Sequence, residues 1–292
     1  MGANTGYSLK ELLAEAWEIR RAFFPPQVEF VTPFRTLAVS STGEKCALNC
    51  SHCGGYYLRG IATLEEALQH NKQKITSFLV SGGYNLQGGV PHFAQWEKIV
   101  KLSCRGALNM HTGLVTEEQA RKLSQVADVV SFDFIVDNQT IEEVYGLSAS
   151  GQDFIDSLQA LCRYTKVVPH LCLGLKGGQM QGEFKALEKL KQEKVEAICF
   201  IVFRPTPGTL FESCAPPSLE EVGSFLAKAR IMFPALPLYL GCMRPGGRYR
   251  NTLDQLALQA GINKIVQPVP AARRLAADLG LIAIKGEECC SL

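Results

Sequence analysis

At 292 residues, 47% of them hydrophobic, the chain is long enough to bury one large core, so a single barrel-sized domain is expected rather than two small ones. A net charge of +2 builds no strong field, which argues against the concentrated basic surface of a nucleic-acid binder. No apolar run reaches the length of a membrane span, and the N-terminus lacks a basic-then-apolar leader, so a cytoplasmic location with no membrane partner is expected. Eleven cysteines is high usage for such a chain; an odd number in a reducing compartment points to buried thiols and metal ligands rather than to disulfides.

In chain order, Ser8 to Phe24 carries Leu12, Leu13, Ala16, Trp17, Ile19 and Phe23 at helical spacing, and Pro25-Pro26 ends that helix. A β-rich run, Thr36–Ser41, then leads into a cysteine-rich loop and a polar amphipathic stretch, Thr63–Lys74. Strand and helix patterns alternate from there. Ser77–Ser81 precedes Phe93–Leu102, Ala107–His111 precedes Glu117–Gln125, and Asp128–Phe134 precedes Phe154–Tyr164. In the second half, Lys166–Leu175 precedes Phe184–Lys191, Ala197–Phe203 precedes Leu219–Met232, Leu236–Leu240 precedes Thr252–Ala260, and Lys264–Val266 precedes Ala271–Leu279. About eight strand-then-helix units in a chain of this size predict an α/β fold, a (β/α)8 TIM-type barrel complete or nearly so, with an open doubly wound sheet as the alternative. The expected division is an N-terminal helical extension over 1–35, the barrel over 36–285, and a cysteine-containing C-terminal tail over 286–292.

Polar and glycine-rich segments follow the strands rather than precede them: Cys46–Tyr56, Ser81–Gly89, Asp133–Asn138, Gly174–Gly182, Pro205–Thr209 and Gly241–Gly247. In a (β/α) barrel that is the C-terminal face, where active sites are built. The first of these loops holds Cys46, Cys50 and Cys53 in a C-x3-C-x2-C spacing. Three thiolates this close converge on one metal centre, and a cubane cluster held by three soft ligands keeps one iron free for an exogenous ligand. A structural zinc site is the alternative, but it ordinarily takes four protein ligands in paired C-x2-C units, and no second pair is present.

The spacing resembles the signature of the radical S-adenosylmethionine (SAM) superfamily. That resemblance implies a [4Fe–4S] cluster on Cys46, Cys50 and Cys53, and SAM as the second cofactor. It further implies that His52 lies near the adenine, Gly82 and Gly83 at the methionine end of SAM, and Asp133 at the ribose hydroxyls. The Gly174–Gly182 stretch with Glu183 and the backbone at Ile201 would complete the SAM site. Each also has a plain structural reading: a tight turn at Ser81-Gly82-Gly83, a strand-end carboxylate at Asp133, a first-turn helix carboxylate at Glu183 and a core side chain at Ile201.

Further segments resemble the biotin synthase branch: the helix from Leu12 to Phe24, Pro205-Thr206-Pro207-Gly208-Thr209, and Leu240-Gly241-Cys242-Met243-Arg244-Pro245. With Pro169–Leu175 and the tail Cys289-Cys290-Ser291-Leu292, the chain resembles a family of biotin synthase homologues from archaea and anaerobic bacteria that is linked to a two-protein lipoyl synthase. The resemblance implies reductive SAM cleavage for C–H activation, and sulfur insertion into an octanoyl chain on a carrier protein or into a small-molecule substrate. A companion radical SAM protein and a ferredoxin- or flavodoxin-type reductant are the implied partners. It also implies an auxiliary iron–sulfur cluster, for which Cys172, Cys242, Cys289 and Cys290 are candidate ligands, with Cys214 on a loop nearby in sequence. Ser81 and Met110 stand where biotin synthase has cluster cysteines, and the N-terminal cysteine motif of single-chain lipoyl synthase is missing. Cys104, Cys162 and Cys199 are expected to be buried apolar thiols. Arg244, near Arg248 and Arg250, is a candidate active-site cation, with a solvated loop as the alternative. The competing functions are a radical SAM enzyme without an auxiliary cluster, performing a rearrangement or cofactor-maturation step, and a non-catalytic zinc or cluster protein.

Overall fold

The computed structural model describes residues 7–71 and 74–292. Helices in it start where the sequence supplies caps. Ser8 with Glu11, Thr63 with Glu66, Thr116 with Gln119 and Ser218 with Glu221 each form a reciprocal capping box, satisfying amide groups that the first helical turn leaves free. The helices are α1 (Leu9–Phe23), α2 (Leu64–Gln69), α3 (Trp96–Ser103), α4 (Glu117–Leu123), α5 (Asn138–Thr140), α6 (Gly151–Cys162), α7 (Glu183–Leu190), α8 (Leu219–Met232), α9 (Gly247–Gln259) and α10 (Pro270–Asp278). The stretch expected to be amphipathic over Thr63–Lys74 is helical only to Gln69, and positions 72 and 73 lie outside the described residues. No described helix is long and apolar enough to cross a membrane.

The strands are β1 (Gln27–Val31), β2 (Thr36–Ser40), β3 (Ala62–Thr63), β4 (Ser77–Ser81), β5 (Ala107–His111), β6 (Val129–Asp133), β7 (Val167–Leu173), β8 (Ile198–Val202), β9 (Leu238–Leu240), β10 (Lys264–Val266) and β11 (Ile282–Gly286). They form one sheet in the order β11-β1-β10-β9-β8-β7-β6-β5-β4-β2-β3, with every pairing parallel. All eight strands expected from the sequence are there, so the fold is the α/β parallel barrel type. The link between β1 and β2 shows that the sheet curls. These two strands lie towards opposite ends of the order, yet a connection this short reaches at most about 18 Å. Among the described residues the barrel does not close by a ladder: β11 and β3 are its two edges.

Residues 27–31, expected within a helical extension, are instead strand β1, seated between β10 and β11. The alternation explains this. Val28 and Phe30 enter the large core between sheet and helices, whereas Val31 enters a second, smaller cluster with Val129, Val168, Ala197, Cys199, Val266 and Cys290. That second cluster takes alternate residues of β1, β6, β8 and β10 and is the barrel lumen. The opposite face carries Phe78, Val80, Leu108, Met110, Val130, Phe132, Leu171, Phe200 and Val202 into the helical layer.

Candidate functional site

The cysteine loop leaves the C-terminal end of β2 and is pinned on three sides. The Ala47 amide donates to the Tyr84 carbonyl (2.8 Å), Ser51 donates to Val144 (2.8 Å), and Phe211 donates back to Ser51 (3.0 Å). After Cys53 the chain turns through two left-handed glycines, Gly54 (φ +51) and Gly55 (φ +72), a conformation that side chains with a Cβ rarely adopt. Burial raises the Cys53 thiol, and the turn opposes this by aiming the amides of Gly55, Tyr57 and Tyr56 at the sulfur, a nest of the kind that favours an anion. Burial first, and then the neighbouring Cys53 and Cys46, push the Cys50 thiol up to about 12. A thiol raised this far is held as a thiolate only where a cationic centre offsets its charge, and that is the demand an iron–sulfur cluster meets.

Gly83 is what lets this loop sit against β4. A Cβ there would lie 2.1 Å from the Lys45 carbonyl oxygen and 2.5 Å from Cys46 Cα, and the Gly83 amide donates to Thr42 Oγ1 (2.7 Å). Gly82 is almost as crowded, with a Cβ meeting Val90 at 2.9 Å. A cavity of about 620 Å³ borders Cys46, Gly83 and Tyr84 on the outer rim.

Asp133, at the C-terminal end of β6, accepts from the Tyr84 hydroxyl (3.3 Å) and acts electrostatically on Cys50, His52, His111 and Cys172, so it lies between the loop and the lumen. His52 packs edge-on against Tyr145 (5.4 Å); its buried Nδ1 has no partner among the described residues, and burial lowers its pKa to about 4. An occluded, unpartnered ring nitrogen beside the loop suits a bound hydrogen-bonding ligand better than an empty core. Glu183 is buried in the first turn of α7 and accepts the Gly174 amide (2.9 Å), clamping the glycine-rich loop after β7; burial raises its carboxyl to about 7. Ile201 is half-buried, in register with Cys172 on β7 and facing Gly241.

The spare cysteines separate clearly. Cys172 follows His170 on the lumen face of β7, whereas Cys242 is exposed beyond β9 but feels the charge of Cys289. Cys104, expected to be buried, is exposed at the end of α3, where its thiol bonds the Val100 carbonyl. Cys199 is buried, but in the lumen among Cys290 and His170 rather than under a helix. Met110 faces the helical layer, so the lumen positions of β5 are Asn109 and His111.

The tail is not a loose end. The Arg35 amide donates to Glu287, the Cys289 amide to Thr36 Oγ1 (2.7 Å), and Thr76 bonds Glu288, which carries the chain across the seam beside β2 and β4. Inside, Asn109 Nδ2 donates to Cys289 Sγ (3.2 Å), Ser131 meets Ser291 (2.9 Å), and Lys264 Nζ donates to the carbonyls of Cys290 and Leu292.

Arg244 is neither on a solvated loop nor a free cation. Its side chain is fully buried and paired with Asp254 through Nε (2.8 Å) and the second terminal nitrogen (3.0 Å), with further donation to the carbonyls of Gly241 and Val266. Those bonds tie the loop after β9 to α9 and β10. Sequence reading also passed over His170, Tyr84, Asn109, Ser131 and Lys264. For His170, Asn109 and Ser131 the signal is alternation: polar residues at every second position of β5 (Asn109, His111), β6 (Ser131, Asp133) and β7 (His170, Cys172).

No family model matches the chain. Among curated proteins, a biotin synthase from Ruthia magnifica subsp. Calyptogena magnifica is 26% identical over 274 residues, covering 87% of this chain and 82% of the relative. Among solved structures, methylornithine synthase (PylB) superposes with a TM-score of 0.68 at 15% identity over 97% of this chain and 91% of its own. The FeFe-hydrogenase maturase HydG from Carboxydothermus hydrogenoformans gives 0.67 at 15% identity over 94% and 72%. At these identities the two structures speak for the fold.

Proposed function

Taking the chain as a biotin-synthase-like member of the radical SAM superfamily, we propose that it inserts sulfur at an unactivated C–H position of a protein-bound octanoyl chain. The observation that carries this reading is the lumen below the cysteine loop, which holds thiols, imidazoles and hydroxyls where a barrel ordinarily packs branched aliphatic side chains. The cofactors implied are a [4Fe–4S] cluster and SAM, which together supply a one-electron reductive cleavage strong enough to abstract hydrogen from carbon. Cys46, Cys50 and Cys53 would hold the cluster, with the amides around Cys53 partly offsetting the burial that raises its thiol.

The remaining residues position and shield. Gly83 lets the cysteine loop close on β4, and Asp133 presents a carboxylate beside it that can accept from ligand hydroxyls. Glu183 fixes the glycine-rich loop that borders the same mouth, and Tyr145 and His52 keep that rim dry. Cys172, two residues beyond His170 on β7, is a thiol available to hold the sulfur donor this reading requires. The companion radical SAM protein and a ferredoxin- or flavodoxin-type reductant belong to the same proposal.

The test is an anaerobic assay with an octanoylated lysine peptide, SAM and dithionite, with and without a companion radical SAM protein. The expected products are 5′-deoxyadenosine and a peptide heavier by sulfur. Absence of 5′-deoxyadenosine under every condition overturns the radical SAM reading, and 5′-deoxyadenosine without thiolated peptide overturns the sulfur-insertion half of it.

A further inference from the structure

Three buried side chains from distant parts of the sequence meet in the lumen: His170 on β7, Cys199 on β8 and Cys290 in the tail. Their ligand atoms all lie within 4.8 Å of one another, and Cys290 Sγ is 3.8 Å from His170 Nε2. We infer that these three residues hold a single divalent ion of the zinc class in the barrel lumen, separate from the centre on Cys46, Cys50 and Cys53.

The spacing argues for one ion. With metal–sulfur and metal–nitrogen bonds of about 2.3 and 2.0–2.1 Å at tetrahedral angles, paired ligand atoms stand about 3.6–3.8 Å apart. A cubane distributes its thiolates over different iron corners and needs them more widely spread. The present ligand atoms lie within about 1 Å of that spacing.

The histidine is already oriented as a ligand. His170 Nδ1 lies 3.0 Å from the Val168 carbonyl, which can only accept, so Nδ1 carries a proton and Nε2 is the nitrogen turned towards Cys290, where an ion would take the place of any proton between them. The donor chemistry agrees: two thiolates and a neutral imidazole suit a borderline-soft ion and leave its charge balanced. Such an ion also explains why the tail enters the barrel. Cys290 would be its covalent anchor, with Lys264 holding the carbonyls on either side of Ser291 and Asn109 holding the Cys289 thiol, which is 3.9 Å from Cys290 Sγ. Three protein ligands leave the fourth position to Cys289 or to a small ligand from the lumen.

This inference does not require sulfur insertion, and a negative thiolation assay leaves it standing. It is tested on the full chain carrying Cys46→Ala, Cys50→Ala and Cys53→Ala, so that the loop centre contributes no metal. The stripped protein is titrated with Co2+, followed by Zn2+ competition. The expected result is about one equivalent of cobalt with tetrahedral thiolate bands, displaced by zinc. Adding Cys290→Ala weakens cobalt binding by on the order of 100-fold or more, beyond what losing an outer-shell partner costs. Cys290 sits on the tail, so that change leaves the barrel's circular dichroism unaltered, and His170→Ala provides an independent loss. Cys104→Ala, at the exposed end of α3, leaves affinity unchanged. Absence of thiolate–cobalt bands, undiminished affinity in both Cys290→Ala and His170→Ala, or iron accompanied by inorganic sulfide as the native occupant would each overturn it.

Discussion

Replacing Gly83 with alanine tests whether the cysteine loop depends on its seat against β4. The added Cβ would lie 2.1 Å from the Lys45 carbonyl oxygen, 2.5 Å from Cys46 Cα and 2.6 Å from Cys46 Cβ, whereas ordinary contact begins near 3.4 Å. Backbone on both sides must therefore separate by about 1.3 Å, and no flexible side chain can absorb it, because two of the three atoms are main chain. Overpacking of this kind costs about 1–3 kcal/mol of stability. The larger effect falls on chemistry, since a misplacement of about 1 Å at a reacting centre lowers rates by on the order of 10²-fold. After anaerobic reconstitution, iron content, the denaturant midpoint and the rate of 5′-deoxyadenosine formation per loaded cluster are measured together. We expect a modest midpoint shift and a rate loss near 100-fold. Gly246→Ala, at φ −86 with nothing within 4 Å of its Cβ, is the matched control and should be silent. A Gly83→Ala protein with wild-type iron and wild-type rate would refute the reasoning.

Breaking the buried Arg244–Asp254 pair from one side, as Arg244→Met or Asp254→Leu, should cost about 3–5 kcal/mol by chemical denaturation, while the double substitution should cost less than the sum. A double variant as costly as that sum would deny the pairing. Burial lifts Glu183 from 4.5 to about 7 in the folded chain, so between those values the folded state keeps a proton that the unfolded state has released. Stability should therefore fall as pH rises through that window, by ~3 kcal/mol at most, and Glu183→Gln should flatten the slope. An identical slope in the variant would reassign the dependence to other groups. Cys46→Ala, Cys50→Ala and Cys53→Ala should each abolish 5′-deoxyadenosine formation without changing the far-ultraviolet circular dichroism; activity surviving in any of them would remove that cysteine from the ligand set.

Much of the scaffold was legible in the sequence because its determinants are local. The alternation of apolar strands with capped helices locates β2, β4 to β10 and the helices that follow them, and the C-x3-C-x2-C spacing identifies its loop without any tertiary information. What stayed hidden depends on long-range placement. Gln27–Val31 follows two prolines and is short, so nothing local says that its partners are β10 and β11, whose residues come more than 230 positions later. Arg244 reads as a loop cation because Asp254, its partner, lies ten residues downstream on α9. Cys199 has apolar neighbours in sequence, Ile198 and Phe200, and only the two-residue period of β8 turns it away from them into the lumen.

The lumen carries the functional argument further than any single motif. In register across adjacent strands stand Asp133, His170, Cys199, Tyr239, Lys264 and Glu29, one on each of β6, β7, β8, β9, β10 and β1. A barrel built only for stability would fill that layer with branched aliphatics, since burying polar groups is unfavourable unless each is matched. Matching is what the tail provides. Lys264, already paired with Glu29 at 3.2 Å, also donates to the tail carbonyls, and Ser131 meets Ser291. The cysteine loop comes over the strands' C-terminal ends, while the tail enters beside the N-terminal starts of β2 and β4. Thiols therefore approach the same interior from both directions, with the polar layer held between them.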